Sequence, residues 1–235
     1  MSAKKKEIKM TREDAPETIT NTTFYGIHLD EEQMKFANAV WSKENDIVFV
    51  NAKAGTGKTL VATGVANLLH DYGLYRDIIY IMSPYGEKKQ GWLPGSIEEK
   101  SSVYFEQFYQ ALISIGVNYS QVLASDIENL KRGTAYISCI TDTFLRGQNL
   151  DNAVVIVDEA QNFTTSQLKK ILTRVNTNTK VIVIGHTLQC DLDDKSLSGF
   201  SKYIAHFRNQ DRCAVCTLTN NHRGWISQHA DELEE

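Results

Sequence analysis

Short β-branched apolar runs alternate along this chain with longer stretches whose apolar residues fall at helical spacing. DIVFVNA from Asp46, DIIYIMS from Asp77, AYISCI, AVVIVD, KVIVIG and CAVCTL read as strands. Between Asp30 and about Trp41, Met34, Phe36, Ala37, Val40 and Trp41 trace one helical face, with Asp30 placed as its N-cap. LVATGVANLLHDYG from Leu60 reads as helix until Gly73, helical stretches follow from about Ile97 to Leu130, and TTSQLKKILTRV has helical spacing again. Apolar runs that do not alternate with polar residues suit strands buried on both faces. Their alternation with helices predicts an α/β fold, doubly wound around a mainly parallel sheet, whose ligands bind at the carboxyl ends of the strands.

The pattern begins near Phe24. Residues 1–23 are polar and aperiodic, which predicts a flexible lead followed by one domain over 24–235. The 235 residues, 42% hydrophobic and 23% charged, suffice for one substantial core. With 14 glycines, 3 prolines and no repeat, extended disorder and solenoids are excluded. No apolar run approaches the roughly 20 residues of a membrane helix, so no membrane partner is expected. MSAKKKEIKM has no apolar core of the secretory kind, and four dispersed cysteines agree with a reducing compartment, so the expected location is cytoplasmic. Cys213 and Cys216 form a lone C-x-x-C that reads as strand residues rather than half of a zinc site. A net charge of −4 confines any polyanion contact to a local surface.

Candidate chemistry gathers at three strand ends. After the first strand stands AKAGTGKT, comprising Ala52, Lys53, Ala54, Gly55, Thr56, Gly57, Lys58 and Thr59. Between strand and helix this reads as a phosphate-binding loop: glycines let backbone amides curl around a triphosphate, Lys58 reaches the β- and γ-phosphates, and the Thr59 hydroxyl binds magnesium. Ala52 replaces the first glycine of the strict pattern. In VVIVDEAQN, Asp158 ends a strand where it can hold the magnesium shell, and Glu159 follows where it can activate water. KVIVIGHTLQ delivers Gly185, His186, Thr187 and Gln189 to the same edge, with Gln189 a candidate γ-phosphate sensor.

Together AKAGTGKT, GEKKQGWLPGSIEEK, FLRGQNLDNAVVIVDEAQN, LTRV and GHTLQCDL make the chain resemble the PhoH family of phosphate-starvation-associated ATPases, relatives of the nucleotide-binding lobe of superfamily 1 helicases. The likeness spans roughly residues 24–230. It departs at His186, where the family usually carries an acid, and at NNHRGWISQHAD, which looks more like the asparagine-x-arginine segment of those helicases. The resemblance implies a P-loop NTPase of RecA-like, helicase-like single-lobe form, with ATP and Mg2+ as cofactors. By the same resemblance Gln33 looks like the upstream glutamine that contacts adenine. The competing reading is a capping box, Asp30-x-x-Gln33, and the two are compatible.

Hydrolysis needs positive charge beyond lysine and magnesium, commonly an arginine finger. One lobe cannot close over its own nucleotide, so the expected source is a neighbouring copy, through Arg223 or Arg146, and the resemblance implies homo-oligomers, as in a hexameric ring. Two functions fit: an ATPase coupled to single-stranded nucleic acid, RNA ahead of DNA, with Tyr85, Lys88, Lys89 and Trp92 as contacts; or a nucleotide-dependent switch that assembles partners without translocation.

Overall fold

A computed structural model describes residues 10–83, 103–141 and 149–231. Its centre is one parallel sheet of six strands, β1 (Ile47–Ala52), β2 (Asp77–Met82), β3 (Ile137–Thr141), β4 (Ala153–Asp158), β5 (Lys180–Gly185) and β6 (Cys213–Leu218), in the order β3-β2-β4-β5-β1-β6. All six coincide with the apolar runs. Because strand side chains alternate, Val48, Val50, Val154, Ile156, Ile182 and Ile184 point to one face, and Ile47, Phe49, Val155, Val157, Val181 and Val183 to the other. Both faces are buried, which is why no strand shows a polar side.

On the first face lie α1 (Glu31–Trp41), α2 (Lys58–Asp71) and α3 (Glu106–Ser114). A short α4 (Ile127–Arg132) follows, so the helical region ending at Leu130 is interrupted, turning at Gly116 where φ is +82°. The second face is covered by α5 (Thr165–Leu172) and α6 (Phe200–Phe207), and α7 (Trp225–Asp231) closes the described chain. Helix α6 is not among the expected elements, although Phe200, Tyr203, Ile204 and Phe207 follow the i, i+3, i+4, i+7 pattern. Nor is α7 expected, its two turns being too short to show a period.

Residues 10–23 correct the flexible lead expected over 1–23. Ile19 is 2% exposed, its backbone N–H and C=O bond to the Asn38 side chain, and Trp41 donates its indole N–H to Pro16 O at 2.9 Å. One apolar side chain and two α1 side chains tie down a polar, aperiodic segment, a long-range effect without local periodicity. Cys213 and Cys216 lie in β6 and pack on opposite faces of the sheet, so the two thiols cannot share one metal ion. Among the described residues no helix is long and apolar enough to cross a membrane.

The strand order creates the site. β5 lies between β1 and β4, pairing in parallel with both, so the loops after β1, β4 and β5 leave the sheet side by side.

Candidate active site

The loop after β1 is built to curl. Gly55 and Gly57 have φ of +73° and +75°, and Gly57 caps the N-terminus of α2, which begins at Lys58, two residues earlier than its apolar pattern. A Cβ at Gly55 would stand 2.5 Å from Asn221 Oδ1, so glycine is also required for the approach of the segment after β6. Ala52 is the last residue of β1, 1% exposed and packed in the first core cluster, and its extended backbone explains why the missing glycine is not needed there. Lys53 is exposed and Ala54 half-buried. Thr56 is buried, its hydroxyl donating to Lys53 O at 3.0 Å.

Gln33 forms the capping box. Its backbone N–H donates to Asp30 Oδ1 at 2.8 Å, and its Oε1 accepts from Asp30 N at 3.1 Å. The other end of the same amide, Nε2, donates to Thr56 O at 2.9 Å, so Gln33 braces the phosphate loop from beneath.

Across the crevice, Asp158 is fully buried at the end of β4. Its Oδ2 accepts from Thr59 Oγ1 and from Tyr80 OH, each at 2.8 Å, and its Oδ1 accepts the Glu159 N–H at 2.7 Å. Burial, and then the neighbouring Glu159 carboxylate, push the Asp158 pKa up against the pull of Lys58. Burial likewise raises the Tyr80 phenol far above its ordinary range. Tyr80 was not foreseen: inside an apolar strand run a tyrosine reads as core.

Lys58 Nζ stands 3.0 Å from Glu159 Oε1, with both side chains about four-fifths covered. Burial opposes its charge, yet the carboxylates of Asp158 and Glu159 outweigh that penalty and hold the ammonium above its usual pKa. Glu159 sits at φ +51°, a left-handed conformation uncommon outside glycine, where the chain turns off the strand. Its second oxygen accepts from Gln161 Nε2 at 2.6 Å.

At the end of β5, the His186 N–H donates to Gln161 Oε1 at 2.9 Å and the Thr187 N–H to Asn51 Oδ1 at 3.1 Å. His186 is buried, and its Nδ1 has no partner among the described residues. Gln189 is carried to the same edge with its side chain exposed.

The segment after β6 closes the other side. Thr219 and Asn220 donate to the Glu32 carboxylate, Asn220 and His222 contact Asp30 Oδ2, and the His222 N–H donates to Gly55 O at 2.9 Å. This clamp sets Arg223 against the cavity of about 370 Å³ that Gly55–Leu60 share with Glu106, Gln107 and Gln110 of α3. Arg223, expected to serve a neighbouring copy, therefore stands at its own chain's phosphate loop. The reason is the Asp30 and Glu32 anchorage on α1, which only the folded chain reveals. Arg146, Tyr85, Lys88, Lys89 and Trp92 lie outside the described residues.

The chain matches the PhoH-like protein family over residues 28–228. It is 32% identical over 188 residues to Protein PhoH of Escherichia coli (strain K12), covering 79% of this chain and 51% of that protein. To the PhoH-like protein of Bacillus subtilis (strain 168) it is 36% identical over 162 residues, covering 68% and 48%. The chain thus spans about half the length of the curated relatives it matches. Among solved structures, the helicase domain of Pyrococcus furiosus Hef aligns with a TM-score of 0.46 at 12% identity, over 86% of this chain and 40% of that one.

Proposed function

The chain belongs to the PhoH-like family, and from that premise we propose that it binds ATP with magnesium and hydrolyses it at the crevice between β1 and β4. The observation that carries the reading is the Lys58–Glu159 pair at 3.0 Å beside the Thr59–Asp158 hydrogen bond at 2.8 Å: a cation, a hydroxyl and two carboxylates converge next to a loop shaped for phosphates.

In this reading the amides from Gly55 to Lys58 receive the triphosphate at the N-terminus of α2, and Lys58 turns from Glu159 to the β- and γ-phosphates. Thr59 and Asp158 offer the hard oxygen donors that magnesium takes alongside phosphate oxygens; bound there it would neutralise charge developing on the phosphates. Glu159, released by Lys58, accepts a proton from the water whose oxygen attacks the γ-phosphorus, and ADP leaves. Arg223 supplies further positive charge from within the same chain, and Gln189 stands on the loop nearest the γ-phosphate side. A ring of copies, which the resemblance implies, is not needed to deliver this arginine.

The proposed coupling partner is single-stranded nucleic acid, RNA ahead of DNA. The test is the steady-state ATPase rate at fixed salt with and without single-stranded RNA or DNA, because backbone contacts are salt-dependent. Magnesium-dependent hydrolysis that rises with the nucleic acid and vanishes in Lys58→Ala supports the reading. Hydrolysis indifferent to nucleic acid favours a switch without translocation. An unaltered rate in Lys58→Ala contradicts the phosphate site itself.

A further inference from the structure

We propose that Gln161 is a positioning residue that aims the Glu159 carboxylate and ties it to the loop after β5, an inference that rests on the role given to Glu159 above.

Gln161 is 1% exposed and lies between two loops of the site. Its Oε1 accepts from the His186 backbone N–H at 2.9 Å, a group that can only donate. That bond fixes which way the amide faces, so Nε2 must point at Glu159 Oε2, which it meets at 2.6 Å. The amide is therefore an oriented donor to the proposed base. The rest of this turn is stapled to the same loop. Cys190 Sγ contacts Gln161 O at 3.2 Å, and Asn162 exchanges two bonds with Asp191, at 2.9 and 2.8 Å.

Two features of the sequence find their reason here. A Cβ at Gly185 would stand 2.6 Å from Gln161 Oε1, so glycine is required at the end of β5 for the amide to lie where it does. The bond to residue 186 uses its backbone, so a histidine serves where the family usually carries an acid.

The need for such a residue follows from the placement of Glu159. Its carboxylate is held by Lys58 and by Gln161. Once Lys58 turns to a phosphate, the Gln161 amide is the remaining tether among the described residues, and a flexible glutamate without it spends little time in line with the attacking water. Displacement of the 186–191 loop would pass to Glu159 through the same amide.

The test uses Gln161→Met, which keeps the length and removes the amide, and Gln161→Asn, which keeps the amide but is one methylene too short to span both partners. ATP binding is followed with a fluorescent ATP analogue, and kcat and KM from steady-state hydrolysis. Both variants are expected to lose about 10- to 100-fold in kcat, with ATP affinity and KM within about twofold of the parent. An unchanged kcat in either folded variant overturns the proposal, as does a loss that appears in KM or ATP affinity, or failure of both variants to fold, since each would make Gln161 a structural residue. The underlying reading fails separately: it falls if Glu159→Gln hydrolyses ATP at the parental rate.

Discussion

Strand β4 changes character within one residue. From Val154 to Val157 every side chain is apolar, fully buried and committed to one of two core clusters. Asp158 is equally buried but carries a carboxyl group, and Glu159 leaves the strand in a left-handed conformation, held between a lysine and an amide. The middle of the strand is what a fold needs; its carboxyl end carries costs a fold alone would not retain. Stability is stored in the sheet's interior and lent to its edge, so substitutions in the two regions should have opposite signatures.

At the edge a large effect is expected, on rate alone. Arg223→Ala should slow ATP hydrolysis by about 10³-fold while leaving the melting temperature unchanged, since the side chain is exposed at the cavity wall. Mixing it with Lys58→Ala should restore nothing, because both residues belong to the site of one chain. Rescue in a mixed ATPase assay would return Arg223 to the neighbouring copy.

Ile156→Ala reverses the signature. Removing a fully buried side chain from the sheet's interior should cost about 3 kcal/mol in urea-unfolding free energy, while the KM for ATP in the folded fraction stays the same.

Two residues on, Asp158→Asn should abolish turnover while lowering unfolding free energy by less than Ile156→Ala does. Relief of the buried charge is offset, because the amide keeps an oxygen for Thr59 and Tyr80 but turns its NH2 toward the Glu159 N–H and leaves Lys58 with one carboxylate fewer. An Asp158→Asn protein destabilised as much as Ile156→Ala would break the contrast between edge and interior.

The smallest effect is at the far end of α2. Burial pushes Asp71 up to about 6. With the folded pKa above the unfolded one, the folded chain bears the cost of the charge above pH 6 and is relieved of it as pH falls toward 4. Asp71→Asn should therefore be more stable by up to about 1 kcal/mol at pH 7, allowing for partial exposure, and the advantage should vanish near pH 4 in parallel melts.

Much of this was legible in the chain. The six strands were, because burial on both faces writes continuous apolar runs, and Lys58, Thr59, Asp158 and Glu159 were, because their chemistry demands fixed spacing after a strand. The rest depends on contacts distant in sequence. Tyr80 lies 78 residues before the carboxylate it donates to. Gln161 lies within the VVIVDEAQN run, but its task depends on the His186 backbone. Arg223 takes its position from Asp30 and Glu32, about 190 residues earlier, and no local pattern marks that clamp. Residues 10–23 looked free because their partners, Asn38 and Trp41, lie on α1.

The central claim is that the polar edge of the sheet hydrolyses ATP with Glu159 as the base. Single-turnover hydrolysis of ATP with magnesium, by the parent chain and by Glu159→Gln at matched nucleotide occupancy, tests it most directly. The amide can orient water but cannot take its proton, so the variant should bind ATP as tightly as the parent and cleave it at least about 100-fold more slowly. Equal single-turnover rates, or a variant that no longer binds ATP, would contradict that assignment.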